Sequence, residues 1–348
     1  MKRLPPHLRF PLGLAFAIVS LAPCAFSAPK TDVVILKNGD KITGEVKALD
    51  QGRLKFSTDN IGTIYIEWED IASVTAARIF EVETVNGDLF HGSIEPGEEG
   101  GAFQLVEGAE KRTIRFDQIV RVVPVSRGWL EGIDGSLSFG VSYVQATELG
   151  QLSLNGNAIQ RHLAVEKELD LALTFTREPD QPDTSRYTLG FVRRRLLAHR
   201  GFWYANAGVS SNSEIGLDLR GLVGGGAGMD FVQTYASQFM GLAGLALSRE
   251  NPTGEDPSET NLEAVLGLAY RVASYDFPKT KVNVALSYYP GLSPSGRSRA
   301  TLDGSFSREI FRDFTWGLTV YDDYDSHPRD PDASTNDYGI TMTVGWEF

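Results

Sequence analysis

Tyr338-Gly339-Ile340-Thr341-Met342-Thr343-Val344-Gly345-Trp346-Glu347-Phe348 alternates without a slip. Successive side chains of a strand point to opposite sides. Tyr338, Ile340, Met342, Val344, Trp346 and Phe348 therefore share one face, and Gly339, Thr341, Thr343, Gly345 and Glu347 the other. The second face decides how such a strand is used. A soluble sandwich buries its apolar face and presents Lys, Glu and Thr to water; a transmembrane barrel turns the apolar face to lipid and keeps small and polar residues inside, with aromatics at both interfaces. Tyr338 at one end and Trp346 with Phe348 at the other fit the barrel. The six apolar positions, ending on Phe348, also have the form of a signal for the barrel-assembly machinery.

The same texture extends back to residue 133. Leu137, Phe139, Val141 and Tyr143 oppose Ser138, Gly140 and Ser142; Leu169, Leu171, Leu173 and Phe175 oppose Asp170, Ala172 and Thr174; Phe314, Trp316, Leu318 and Val320 oppose Thr315, Gly317 and Thr319. Strands are expected near 133–146, 151–165, 168–177, 186–197, 202–212, 217–232, 237–249, 260–275, 280–289, 298–308, 314–324 and 336–348. Their connections alternate between polar loops such as EPDQPDTS, ENPTGEDPSE and DSHPRDPDAST and tight turns such as EKE, AHRG, TYAS and FPKT. Outer-membrane barrels place short turns in the periplasm and longer loops outside, and closure removes edges that lipid does not tolerate. An even strand number then leaves both barrel ends in the periplasm.

Upstream, Val34–Val74 repeats as Val82–Val122 at a constant offset of 48: Asn38-Gly39-Asp40 maps onto Asn86-Gly87-Asp88, Gly44 onto Gly92, Ile66 onto Ile114, Trp68 onto Phe116 and Ile71 onto Ile119. Register kept over such a length marks a duplication. Asn-Gly between alternating runs is a hairpin signal, since both residues tolerate positive φ. About five short strands per copy predict two tandem small SH3-like or Sm-like barrels, residues 30–76 and 78–124, joined by a linker, 125–132, to the barrel at 133–348.

Lys2, Arg3 and Arg9, then Phe10–Leu21, then small residues at Ala25, Ser27 and Ala28 have the layout of a signal peptide, expected over 1–27. Cys24, the only cysteine, falls inside it, so the exported chain would be held together without disulfides. Glycine at 36 of 348 residues, with 10% aromatics and a mean hydropathy of −0.17, suits neither a polytopic helical membrane protein nor a disordered chain. A net charge of −12 argues against a nucleic-acid partner, because phosphate binding needs clustered Lys and Arg. The environment expected is the outer membrane of a Gram-negative-type cell with the repeats in the periplasm. The partners expected are outer-membrane lipid or lipopolysaccharide, the assembly machinery, and a periplasmic protein or cell-wall component.

Leu217-Asp218-Leu219-Arg220 followed by Gly224–Gly228, Tyr288-Tyr289-Pro290, and Tyr324-Asp325 running into Asp337 and Phe348 resemble a domain-of-unknown-function family of salt-induced outer-membrane proteins, over 131–348. The resemblance implies an outer-membrane barrel and a link to salt or envelope stress. It implies no catalytic residue.

Four histidines follow the signal segment: His91, His162, His199 and His327. Only His327 is expected on an outer loop, and a Ser–His hydrolase needs its base within hydrogen-bond reach of the hydroxyl. The expectation is a non-enzymatic barrel without catalytic residues, cofactor or metal, with a narrow solute channel or a lipid hydrolase as alternatives. Alternation points Arg194 into the lumen, and Arg194 and Arg220 are the candidate lumen charges. Arg193 and Arg195 are expected outward, near the periplasmic interface, where long side chains snorkel. Asp322, Asp323, Asp325, Asp330, Asp332 and Asp337 form an expected acidic rim.

Overall fold

The computed structural model describes residues 30–346, except 99, 126–132, 146–147, 180–181, 214–216, 253–256, 294–295 and 328–333. The expected signal peptide, the linker beyond Val125, Phe348, Asp330 and Asp332 lie outside the described residues. No helix among the described residues is long and apolar enough to cross a membrane.

Nine strands form an N-terminal module. The first copy contributes β1 (Asp32–Leu36), β2 (Lys41–Asp50), β3 (Arg53–Ser57) and β4 (Thr63–Glu67). The strand β5 (Ile71–Thr84) follows, and the second copy adds β6 (Leu89–Pro96), β7 (Ala102–Glu107), β8 (Glu110–Arg115) and β9 (Ile119–Pro124). The duplication is reproduced bond by bond. Val34 faces Val74 across β1 and β5, and Val82 faces Val122 across β5 and β9. Leu36 N donates to Asp40 O at 2.8 Å, and Thr84 N to Asp88 O at 3.0 Å. Gly39 and Gly87 occupy the same turn position at φ of +93° and +79°, which only glycine adopts without strain.

The copies are not the two separate barrels that the repeat suggests. β5 stays one strand across the expected boundary at 76–78, with a register shift in its pairing to β6 between Ala76 and Phe80, and one sheet holds both copies in the order β4-β3-β2-β1-β5-β6-β7-β8, with β9 pairing β2 and β5. Thr75–Phe80 contains no Gly or Pro to interrupt extended backbone. Ala76 and Phe80 are buried on either side of the junction, in one core that also takes in Val34, Phe56, Trp68, Phe103 and Phe116.

The rest of the chain is a twelve-stranded antiparallel meander in which each strand pairs with the one before it. Its strands are β10 (Ile133–Val144), β11 (Leu149–His162), β12 (Val165–Arg177), β13 (Thr184–Leu196), β14 (Gly201–Asn212) and β15 (Leu217–Gln233). They continue with β16 (Ser237–Pro252), β17 (Glu259–Ser274), β18 (Thr280–Pro290), β19 (Ser298–Phe311), β20 (Phe314–Asp325) and β21 (Asn336–Trp346). All twelve overlap the strands expected from alternation.

Burial across this sheet is inverted relative to a soluble domain. Leu137, Phe139 and Val141, and likewise Tyr338, Ile340, Met342, Val344 and Trp346, are exposed. On the opposite face Ser248, Glu250, Asn261 and Glu263 are buried. The sheet curves toward this polar face, because side chains there reach past an intervening strand: Arg299 of β19 meets Glu263 of β17. Glycine makes room for the same curvature. A Cβ on Gly228 of β15 would run into the ring of Phe202, which is fully buried on the polar face.

A closed barrel is the sequence expectation, and the closing ladder is not among the pairings of the described residues. Among the described residues β10 and β21 share no ladder, so the sheet has two unpaired edges. Every other pairing is set by the connection between sequence neighbours; joining β10 to β21 is the one pairing that no turn dictates.

Candidate functional site: the seam between module and sheet

Turns at one end of the meander meet the module. Two of them, Leu163-Ala164 and His199-Arg200, place non-glycine residues at positive φ, the backbone that a two-residue hairpin turn requires. Glu81 of β5 accepts from the Ala164 backbone N–H at 2.7 Å, and its Oε2 lies 3.0 Å from His91 Nε2. The Gly87 turn lies so close to Arg200 that a Cβ at 87 would fall on the Arg200 backbone nitrogen. Gln233, at the end of β15, donates to Glu83. In the β15–β16 turn, Tyr235 donates its hydroxyl to Glu69 at 2.6 Å. In the β17–β18 turn, the ring of Tyr275 lies under the Arg53 guanidinium, 3.9 Å from its centroid. At the start of β10, Asp134 takes both carboxylate oxygens to Lys55 Nζ, at 2.6 and 2.8 Å.

Arg121 of β9 is the centre of the seam. It is buried, 3.5 Å from Glu83 and 3.3 Å from Glu166 of β12. Burial opposes its charge, but Glu83, then Asp50 and Glu166, outweigh burial and hold the guanidinium protonated more firmly than an ordinary arginine. Glu166 also receives Arg161 at 2.6 Å and Arg194 at 3.5 Å, so one carboxylate gathers three guanidiniums from both parts of the molecule. Tyr235 is pushed up to about 12, first by its hydrogen bond to Glu69 and then by burial.

A cavity of about 850 Å³ opens beside these contacts, between the module and the ends of β10 and β11. Ile79, Val123, Pro124, Ile133 and Ile159 give it apolar walls. Its charged lining is Lys47, Lys55, Arg78 and Arg161 against Glu45 and Asp134. Glu45 bridges Lys47 at 2.6 Å and Arg78 at 2.7 Å.

At the opposite end, Arg220 of β15 meets the buried Glu250 of β16 at 2.7 Å. Arg297 joins Glu250 to Asp325, and Arg299 pairs with Glu263 at 2.6 Å. Both Arg194 and Arg220 thus lie on the sheet's polar face, at opposite ends and each against a glutamate. Asp323 faces Asp337 across β20 and β21, and Asp322 shares a pair with Tyr338 on the apolar side. His162 ends β11 and His199 stands in the β13–β14 turn. His327 Nδ1 is 2.8 Å from Ser326 Oγ. Asp325 accepts from the His327 backbone rather than its ring, and its carboxylate is engaged by Arg297, so among the described residues this carboxylate does not orient the imidazole as the acid of a triad orients its base. Among the described residues no group of three or more His, Cys, Asp or Glu could hold a metal ion.

Sequence reasoning singled out Arg194 but missed Arg121, Glu166, Glu83 and Gln233. Charge alternation within β12 was the only visible signal for Glu166. Glu83 and Gln233 are 150 positions apart, and no local pattern connects them.

The family model for the protein of unknown function DUF481 matches residues 137–348, the whole meander except the first residues of β10. The chain belongs to the DUF481 family. This bears out the resemblance to a domain-of-unknown-function family over the C-terminal region. The DUF481 match ends short of the repeat module, so the seam joins a family domain to a segment that the family model does not cover. No curated protein and no solved structure matches the chain.

Proposed function

We propose that this DUF481 protein is a non-enzymatic outer-membrane β-barrel whose duplicated periplasmic module is docked on the barrel's tight-turn end. The observation that carries the proposal is the inverted burial of the meander. Leaving Leu137, Phe139, Ile340 and Met342 in water while Glu250 and Glu263 are sheltered is unfavourable for a soluble domain and natural for a sheet facing lipid. On this reading β10 pairs with β21, since an open edge in hydrocarbon leaves backbone groups unsatisfied at several kcal/mol each. The polar loops face outward and residues 1–27 direct export. Arg121 with Glu166 at one end and Arg220 with Glu250 at the other narrow the interior, which favours a structural or adaptor role over an open channel. The family resemblance adds salt or envelope stress as the setting.

The test is fractionation followed by gel mobility. A folded membrane barrel appears in the outer membrane, needs detergent for release and migrates faster before boiling than after. A protein released without detergent, with heat-independent mobility, overturns the proposal. Planar-bilayer recording then separates the roles: silence supports the adaptor, and stable conductance steps support a channel.

A further inference from the structure

We infer that the edge strand β4 of the module takes up an extended segment of a partner polypeptide, laid antiparallel along it with a Lys or Arg at the segment's N-terminal end. The inference rests on the adaptor reading and names the kind of partner for it.

The duplication provides an internal comparison. β4 and β8 occupy equivalent places, and among the described residues each is a free edge of the module sheet. Bonds from Thr58 N to Gly62 O and from Trp68 N to Gly52 O, both 2.8 Å, fix the phase of the β3–β4 ladder. Antiparallel pairs alternate between bonded and non-bonded, so Ile64 and Ile66 bond to β3. Thr63, Tyr65 and Glu67 turn their backbone N–H and C=O groups outward. The bond from Phe116 N to Gly101 O sets the same phase in β8, where the outward positions are Lys111, Thr113 and Arg115.

The two edges are protected in opposite ways. Lysine and other charges on an edge strand deter a further strand, and β8 carries Lys111, Arg112 and Arg115. At the same offset of 48, β4 has Thr63, Ile64 and Glu67. Tyr65 is 59% exposed, and Ile61, in the adjoining turn, 73%. An unguarded edge of this kind is the template for β-strand addition, in which backbone bonds give affinity and pockets for alternate side chains give specificity.

Local charge sets the partner's end. Glu67 is 4.0 Å from Arg53. Just beyond it, Glu69 accepts from the neutral Tyr235 hydroxyl, and neither Glu69 nor Asp70 pairs with a cation among the described residues. In the second copy the equivalent residues are Asp117, neutralised by Arg115 at 2.7 Å, and Gln118. The side-chain pocket is a cavity of about 450 Å³, lined by Tyr65 and, on the sheet side, by Asp134, Ser136 and Asn157. Its cations Arg53, Lys55 and Arg161 are engaged by Tyr275, Asp134 and Glu166, so it suits an uncharged polar side chain.

The experiment is fluorescence anisotropy with full-length protein in a neutral detergent. The probe is a dye-labelled Lys-Lys-Thr-Val-Thr-Val-Thr peptide with blocked ends. One twin carries Glu-Glu in place of Lys-Lys, and another is N-methylated at alternate amides. The probe is expected to bind about tenfold more tightly than either twin. Tyr65→Pro removes one outward N–H and no bond to β3, a position where an edge strand tolerates proline. It should weaken binding about tenfold while keeping heat-shifted mobility. Thr63→Lys with Glu67→Arg, which copies β8 onto β4, should do the same. No binding by the parent protein, undiminished binding by Tyr65→Pro, or equal binding of the N-methylated twin overturns the edge site. Equal binding of the Glu-Glu twin overturns the charge selection. A parent dimer that Tyr65→Pro dissociates assigns the edge to a second copy and overturns the partner segment. Absence of heat-shifted mobility in the parent overturns the barrel reading instead, and peptide binding is scored apart from it.

Discussion

Trp68 and Phe116 occupy equivalent positions in the two repeats and touch each other: their ring centroids are 4.6 Å apart, and the Trp68 indole N–H donates to the Phe116 carbonyl oxygen at 3.1 Å. Each repeat thus completes the core of the other. Trp68→Ala is expected to cost about 3–5 kcal/mol. Both copies should lose protection together in hydrogen exchange. Loss confined to residues 30–76 would show two independent units.

Gly39 and Gly87 form the same turn in different surroundings. An added Cβ at Gly39 meets nothing within 4 Å, whereas one at Gly87 meets the backbone of Arg200. Alanine at either position carries the left-handed penalty of about 1–2 kcal/mol. Only Gly87→Ala should also loosen the seam, seen as faster proteolytic separation of module from sheet. Equal cleavage of the two variants would contradict the docked arrangement.

Removing Arg121 leaves the buried Glu83 without its guanidinium, while Glu166 keeps Arg161 and Arg194. Breaking a buried ion pair from one side costs about 3–5 kcal/mol, because the remaining charge stays desolvated. Arg121→Met should therefore release the Ala164 amide, which donates to Glu81, to rapid exchange with solvent. Adding Glu83→Gln to Arg121→Met should restore part of its protection, since Glu166 keeps Arg161 and Arg194.

Tyr235 makes the seam sensitive to alkali. Its phenol is the donor to Glu69, so the docked form favours the protonated ring and its pKa rises to about 12 from the ordinary 10.0. A group whose pKa is raised in the folded state contributes fully below its unfolded pKa and loses that contribution as pH climbs through the folded value. Docking is expected to be constant up to pH 10.0 and to weaken between there and about 12. Tyr235→Phe should remove that step, as followed by ultraviolet phenolate absorbance alongside proteolysis of the seam.

Two adjacent residues of β21 separate the membrane reading from a soluble one. Met342 is exposed on the apolar face and Thr341 points to the other. Arginine facing lipid near the bilayer midplane costs about 2–4 kcal/mol, while a lumen position tolerates charge. Met342→Arg should reduce the heat-modifiable form far more than Thr341→Arg. The reverse order would place the apolar face in water.

Alternation made the twelve strands and their faces legible, because a period of two survives in residues as simple as Leu169 to Phe175. The 48-residue offset made the duplication legible down to single turns. Two features were hidden for physical reasons. The continuity of β5 was masked because Ile71–Thr84 serves one repeat with its first half and the other with its second. The seam was masked because its strongest pairs, Glu83 with Gln233 and Arg121 with Glu166, join residues 150 and 45 positions apart. Such pairs leave no periodic trace, and their charges look like ordinary surface residues until both partners are buried.

The shared strand β5 and the meander are both assembled from neighbours in the chain, a low-contact-order arrangement that favours rapid local formation. The seam is different in kind: the bond from Gln233 to Glu83 cannot form until six strands of the sheet have taken their places. The module precedes the sheet in the chain, so it can be complete before any of those strands has formed. A finished seam therefore carries temporal information. It records that β10 to β15 have assembled in register, so that on the proposed outer-membrane reading the docked module would distinguish a finished sheet from one still being built.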